Sequence, residues 1–282
     1  MKKGSSSSMV GKLSTSHTDD RPVRLVQITD THLGSADGET LLGLNTDQSL
    51  DDVLDIVQRE QSHIDAMVCT GDIASAPNPS CYQRYIEQIN SRFSCSQGWL
   101  PGNHDLADVM FTLDHPQRPA HRTMMLGAWL VVLLDTSVPG FVHGELSRAE
   151  LAFLSQTLNE HSNTPTIVML HHQPVVVGSE WIDQYIVRNS DALFAITDRH
   201  PQVKAISWGH VHQLFEQRRG ETLLLATPST CVQFKPDCDD FTVDTAMPGY
   251  RWYDLYPDGR IETGISRVTD KAYVIDYRSA GY

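Results

Sequence analysis

Apolar positions along this chain follow two periods. Val23 to Ile28 (VRLVQI) is a short, nearly continuous apolar run after a proline, the pattern of a buried strand. Residues 64–72 (IDAMVCTGD) and 97–105 (QGWLPGNHD) repeat it. Between these runs the spacing lengthens to three and four residues. Leu50, Val53, Leu54 and Val57 give residues 45–60 one apolar helical face, with Thr46 as its N-cap. Tyr82, Tyr85, Ile86 and Ile89 do the same for a second helix. The alternation then resumes. Residues 123–136 (TMMLGAWLVVLLDT) read as a hairpin turning near Gly127. Ser147 and Glu150 form a capping box ahead of a helix with Leu151, Leu154 and Leu158 on one face. Further strands are expected in 165–174 (PTIVMLHHQP), 203–212 (VKAISWGHVH) and 222–230 (TLLLATPST), with a short helix at 190–199. Residues 250–268 alternate apolar and polar about Pro257-Asp258-Gly259, a second hairpin.

Strands alternating with helices, followed by a strand-rich last third, predict an α/β fold with two sheets sandwiched between helices. No Gly-, Pro- or Ser-rich linker divides the chain, so residues 21–282 are expected to form one domain that includes the strand-rich extension. Residues 1–20, rich in Ser, Thr and Gly, read as a flexible tail. Residues 233–249 show no periodicity and read as an irregular loop, a candidate lid.

Composition changes this picture by exclusion. No run approaches the roughly 18 to 20 apolar residues of a membrane span, and the first residues lack the apolar core of a secretory signal. A formal charge of −13 without a basic run argues against nucleic acid as a partner. Five cysteines, an odd number in a long chain, fit free thiols and a cytoplasmic location.

The polar residues that end the strands carry the chemistry. Asp30 and His32 follow the first strand and Asp72 the second. Asn103, His104 and Asp105 follow the third, His171 and His172 a later one, and His210 and His212 another. Residues just beyond the carboxyl ends of parallel strands converge on one crevice. A D-x-H or an H-x-H alone is weak, but five such turns in strand-end positions are not accidental. Carboxylate, carboxamide and imidazole donors suit Mn, Fe or Zn. There are too many for one tetrahedral ion, and an aspartate can bridge two. Two ions about 3.5–4 Å apart serve in-line displacement at phosphorus. Gly71, Gly102 and Gly209 would let the backbone turn sharply before the ligands. Trp181, Tyr185 and Phe234 read as core or surface residues, with contact to a ligand as the alternative.

The motifs D30-T-H32, G71-D72, G102-N103-H104-D105, H171-H172 and G209-H210-V211-H212 resemble those of the calcineurin-like metallophosphoesterase superfamily. LVQITDTHL, LLGLNT, WLPGNHD, HGELS, LLATPSTCVQFKP and DTAMPGYR extend the likeness toward the bacterial class III 3′,5′-cyclic-AMP phosphodiesterases, through to Gly281 and Tyr282. The resemblance implies a four-layer α/β/β/α sandwich with a dimetal site at the strand ends. It assigns Asp30, His32 and His212 to a first metal and Asn103, His171 and His210 to a second, with Asp72 bridging. His104 would be catalytic rather than a ligand, and Asn103 and His104 would also touch substrate. The cofactors implied are two divalent or mixed-valence ions of iron, manganese or zinc. The implied reaction is hydrolysis of 3′,5′-cyclic AMP to 5′-AMP by in-line attack of a metal-bound hydroxide. Homodimers occur among such relatives, but no pattern in these residues specifies one.

Asp105 is expected to lie behind His104 and orient it or a neighbour, or else to cap a helix. The segment STCVQFKP is expected either to shape the nucleotide pocket or to be a structural loop. Two rival functions stand beside this reading. One is a broad phosphodiesterase for 2′,3′-cyclic nucleotides or aryl diesters, because a metal core recognises phosphate rather than adenine. The other is a metal-binding scaffold without catalysis.

Overall fold

The structure, a computed structural model, describes residues 13–15, 21–112 and 122–281. Most of the expected tail, His115, His121 and Tyr282 lie outside the described residues. In chain order the elements begin with β1 (Leu13–Thr15), β2 (Val23–Ile28), β3 (Thr40–Leu41), β4 (Leu44–Asn45), α1 (Thr46–Glu60), β5 (Ala66–Cys69) and α2 (Pro79–Arg92). There follow β6 (Ser96–Trp99), α3 (Ala107–Thr112), β7 (Thr123–Leu126), β8 (Trp129–Leu133), α4 (Arg148–Glu160) and β9 (Thr166–Met169). The last are α5 (Glu180–Asp183), α6 (Ser190–Thr197), β10 (Val203–Trp208), β11 (Phe215–Arg219), β12 (Thr222–Ala226), β13 (Gly249–Leu255) and β14 (Ile261–Arg267).

Two sheets face each other. One has the order β14-β13-β2-β5-β6 and the other β1-β7-β8-β9-β10-β12-β11. Leu25, Val68 and Tyr253 of the first sheet meet Val131, Ile167 and Ala205 of the second in the central core. On the outer face of the first sheet, Val26, Ile28 and Met67 pack against Leu50, Val53 and Leu54 of α1 and Tyr82, Tyr85 and Ile86 of α2. On the outer face of the second, Val132, Val168 and Ile206 pack against Leu154 and Leu158 of α4 and Leu193 of α6. The arrangement is therefore the expected α/β/β/α sandwich. Strands buried on both faces read as continuous apolar runs, which is why β5 is entirely apolar and β9 is apolar but for Thr166.

Local differences have local causes. The N-cap of α1 is Asn45, whose side chain accepts from Gln48 N–H, one residue earlier than expected. Ser147 caps α4 as expected, accepting from Glu150 N–H. Glu150 does not complete the box, since its carboxylate accepts from Asp135 N–H and pairs with Arg122. Leu13–Thr15, inside the stretch read as a tail, lies parallel to β7 as an edge strand.

The registers bring the ligand-bearing turns together. β2 pairs parallel with β5, and β5 with β6, so their carboxyl ends share one edge. β9 and β10 are likewise parallel. Beyond the strands the backbone continues pairing turn to turn. Asp30 N–H donates to Gly71 O and His32 N–H to Asp72 O, both at 2.9 Å, and Gly209 N–H donates to His171 O at 3.1 Å.

Candidate active site

Five of the proposed site residues hold a backbone conformation that L-residues seldom adopt. Asp30, His32, Asp72, His210 and His212 have φ between 47° and 63°. Leu42 and Asp237 are the only other non-glycine residues among those described with positive φ. Left-handed conformations cost on the order of 1 kcal/mol or more per residue. Their concentration at one D-x-H turn, one H-x-H turn and one aspartate marks the edge where backbone strain is spent on aiming side chains inward.

The three glycines have different reasons. Gly71 has φ +97°, the conformation the sequence reading expected. Gly102 and Gly209 lack that conformation and are glycine because of crowding. A Cβ on Gly102 would lie 2.1 Å from Asp72 Oδ1, and one on Gly209 would lie 2.0 Å from Thr29 Oγ1.

Asp72 stands at the centre, 1% exposed. Its Oδ1 accepts from His104 N–H at 2.8 Å. Its Oδ2 faces His171 Nε2 at 3.3 Å and His32 Nε2 at 3.8 Å. One carboxylate oxygen thus lies between a residue expected at the first metal and one expected at the second. On the first side, His212 Nε2 lies 3.2 Å from His32 Nε2 and 3.4 Å from Asp30 Oδ1. Asp30 also accepts from His210 N–H. On the second side, His171 Nε2 lies 3.2 Å from Asn103 Oδ1.

These donors fit cations. His212 Nδ1 donates to Val232 O and His171 Nδ1 to Thr70 O, each at 2.7 Å. In the neutral tautomers their Nε2 atoms therefore carry lone pairs. The His171 lone pair points at two acceptors, Asn103 Oδ1 and Asp72 Oδ2. The His212 lone pair points at Asp30 Oδ1, with the His32 ring nitrogen beside it. Acceptors facing acceptors in a buried site require positive charge between them. His210 Nε2, buried and without a hydrogen-bond partner, is aligned with the same need.

The proton affinities express this demand. Burial alone would depress both His171 and His212. Asp72 overrides it at His171, raising the ring to about 9, and Asp30 overrides it at His212, raising the ring to about 10. Burial holds His32, His210 and His172 well below the ordinary imidazole value. Asp72 is opposed by burial yet kept well below the usual carboxylate range by His171 and His104.

His172, left open by the sequence, has both ring nitrogens engaged. Nδ1 accepts from Thr136 Oγ1 at 2.8 Å and Nε2 donates to Val142 O at 3.0 Å. It packs edge-on against His171 and has no nitrogen left for a metal. His104 is half-buried, with its ring 5.0 Å from that of His32, and it lines a cavity together with Asn103 and His210. The cavity encloses about 470 Å³.

The hydrogen bonds of the Asp105 carboxylate run to three backbone N–H groups and to Tyr82. Its Oδ2 accepts from Ile73 N–H and Gly102 N–H, and its Oδ1 from Ala74 N–H and Tyr82 Oη–H, all at 3.0–3.1 Å. It clamps the Gly71–Ala74 turn to the Gly102 turn, and so holds Asp72 beside His104. Burial, reinforced by Asp72, pushes its carboxyl up to about 6 against three backbone donors. Asp105→Ala would leave four buried donors without their acceptor. Each costs about 1–3 kcal/mol when left unsatisfied. Allowing for relaxation, unfolding free energy should fall by about 3 kcal/mol, read from urea denaturation of the metal-free protein. An unchanged midpoint would remove this role.

Sequence reasoning missed one contributor. Cys231 is fully buried, and its sulfur lies within 4.8 Å of ligand atoms of His32 and His212. The signal was its position just past β12, in the same kind of strand-end turn as the other donors. Phe234 stacks on His212 with ring centroids 4.2 Å apart, so it backs a ligand instead of facing the cavity. Trp181 and Tyr185 do line the cavity. The STCVQFKP segment supplies Val232 O, Cys231 and Phe234, all behind the first-metal side.

Comparison with known proteins agrees with this geometry. Residues 23–214 match the calcineurin-like phosphoesterase family. The chain is 42% identical over 263 residues to a Pseudomonas aeruginosa protein named 3′,5′-cyclic adenosine monophosphate phosphodiesterase CpdA, covering 93% of this chain and 96% of that one. It is 37% identical over 250 residues to a Nostoc protein named 3′,5′-cyclic-nucleotide phosphodiesterase, covering 88% and 93%. Among solved structures, a dimetal phosphatase from Danio rerio superposes with a TM-score of 0.59 at 14% identity, over 89% of this chain and all of that one. That likeness concerns the fold.

Proposed function

The chain belongs to the calcineurin-like phosphoesterase family, and on that footing we propose that it hydrolyses 3′,5′-cyclic AMP to 5′-AMP at the strand-end site. The observation that carries the chemistry is the Asp72 Oδ2 atom, set between His32 and His171 and bordered by acceptors on both sides. Asp30, His32 and His212 would hold one divalent ion, Asn103, His171 and His210 a second, and Asp72 both. When bound, such a pair supplies Lewis acidity toward phosphoryl oxygens and lowers the pKa of coordinated water. Iron, manganese or zinc suits the carboxylate, carboxamide and imidazole donors.

The chain's own residues do the rest. The Asp72 carboxylate accepts from His104 N–H and the Asp30 carboxylate from His210 N–H, which locks each aspartate's turn against a histidine's. His171 and His212 are fixed in one tautomer by Thr70 O and Val232 O, which keeps their inward nitrogens unprotonated when a cation is present. Asn103 and His104, at the mouth, would contact the phosphodiester. As the water oxygen bonds to phosphorus, the bond from phosphorus to the 3′ oxygen breaks. That oxygen takes up a proton, which the His104 ring would donate.

Substrate identity rests on the cyclic-AMP names of the relatives, and a small cyclic nucleotide is the partner. Among the described residues no helix is long and apolar enough to cross a membrane. All five cysteines are free, which fits a reducing compartment such as the cytoplasm.

The test is a substrate panel with manganese-loaded protein. We expect 3′,5′-cyclic AMP to give 5′-AMP with a higher kcat/KM than 2′,3′-cyclic AMP or bis(p-nitrophenyl) phosphate. Turnover of the aryl diester with none of 3′,5′-cyclic AMP would leave a broad phosphodiesterase. Two bound ions with no turnover of any diester would leave a scaffold.

A further inference from the structure

The cavity beside His104 has a chemistry that metal coordination does not need. Its walls include Phe141 and Val142 on one side, Trp181 and Tyr185 on another, Phe241, and the backbone at Ala280–Gly281. Its volume of about 470 Å³ lies in the range of small-molecule sites. Phe141 is 56% exposed and Val142 45% exposed, although both border the site. Large apolar side chains held out at the rim of a polar centre suggest contact with a ligand.

This rim is anchored to the site. Val142 O accepts from His172 Nε2, and His172 packs against His171 and His210. Gly144 N–H donates to Tyr185 O, tying the rim to the Trp181–Tyr185 wall. Trp181 packs edge-on against Phe241 at 5.0 Å. Its indole Nε1 is buried and has no hydrogen-bond partner among the described residues.

The last wall comes from the segment after β14, which crosses the molecule to reach the cavity. Lys271 Nζ and Tyr273 Oη both bind the Asp52 carboxylate of α1, at 2.9 Å each. Asp276 N–H donates to Leu42 O at 2.7 Å. Ser279 N–H donates to Asp276 O, and Ser279 Oγ donates to Gly281 O, so the chain turns back on itself. These bonds fix where Ala280 and Gly281 stand.

We propose that this aromatic cleft is a base subsite that favours adenine over guanine, with Phe141 as a stacking platform and residues 277–281 as a specificity-determining wall. The inference rests on the cyclic-nucleotide reading above and names how that site would select its base. An aromatic face binds any base by stacking. Selection comes from what the walls leave unpaired. Adenine presents only acceptors on its ring nitrogens. Both bases carry one exocyclic amine, but guanine adds a ring N–H and a carbonyl oxygen, for which aromatic rings give no strong partner. Burying them unpaired disfavours guanine.

The experiment compares 3′,5′-cyclic AMP, 3′,5′-cyclic GMP and methyl ribofuranoside 3′,5′-cyclic phosphate, which is the same cyclic diester without a base. Wild-type protein is set beside Phe141→Ala and beside a variant lacking residues 277–282. Phe141 is exposed, so its replacement should fold. Phe141→Ala should raise KM for cyclic AMP about tenfold, with kcat and the base-free diester changed less than about twofold. That loss, about 1.4 kcal/mol, is within the range for one stacked base. Removal of 277–282 should narrow the preference for cyclic AMP over cyclic GMP. Equal effects on the base-free diester, or none on cyclic AMP, would overturn the subsite. Wild-type protein that turns over the base-free diester as readily as cyclic AMP would also overturn it. Wild-type protein inactive on all three would sink the proposed function itself.

Discussion

Asp72→Ala should lose at least one of the two metal ions and about 10³-fold or more in kcat/KM. The expectation follows from the position of one oxygen. Asp72 Oδ2 faces His171 at 3.3 Å and His32 at 3.8 Å, so the same atom serves both proposed ion sites. Removing any other ligand would damage one site directly. Removing this one leaves each site a donor short and also takes away the acceptor for His104 N–H. Loss of several kcal/mol of Lewis-acid stabilisation corresponds to at least three powers of ten in rate. Metal content by elemental analysis, taken beside the rate, is the check. A variant that retains two ions per chain would refute the bridging role whatever its activity.

His104→Ala should separate chemistry from metal binding. Its turnover of cyclic AMP should fall by roughly 10²- to 10⁴-fold, the scale of a general acid, while two ions remain. A second reading of the same variant distinguishes proton donation from simple disruption. A p-nitrophenolate leaving group needs little protonation, whereas a ribose oxygen needs a proton. The loss should therefore be much smaller on bis(p-nitrophenyl) phosphate than on cyclic AMP. His104 lines the cavity and stands edge-on to His32, so it is close enough to the ligands for the alternative to be tested fairly. Loss of metal together with activity would make it a ligand.

Much of the site was legible because strand-end chemistry is local. A buried apolar run followed within a few residues by Asp, His or Gly marks both the strand and its turn. Asp30, His32, Asp72, Asn103, His171, His210 and His212 were all visible in this way, and the structure brings their side chains together. What was illegible depended on partners far along the chain. Asp105 read as an orienter of His104 or a neighbouring group, or as a helix cap. Its partners include backbone N–H groups of Ile73 and Ala74, some thirty positions earlier, and no periodicity reports them. The role of His172 was open in the sequence, and Thr136 and Val142, which occupy its two nitrogens, lie 36 and 30 positions away. Leu13–Thr15 carries no alternation of its own, so only its pairing with β7 identifies it as a strand. The Asn45 and Thr46 caps are chemically interchangeable, and which one ends outside the helix is decided by the β3–β4 hairpin that delivers it. The base-facing cleft was hidden for the same reason. Phe141, Trp181 and Gly281 are scattered over the chain, and only the fold makes them neighbours.

The most direct test of the two-ion account is a titration. Protein stripped of metal would be titrated with manganese while conversion of 3′,5′-cyclic AMP to 5′-AMP is followed. The account expects no turnover at the start and a rate that levels off at two ions per chain. Full activity at one ion, or hydrolysis by the stripped protein, would contradict it.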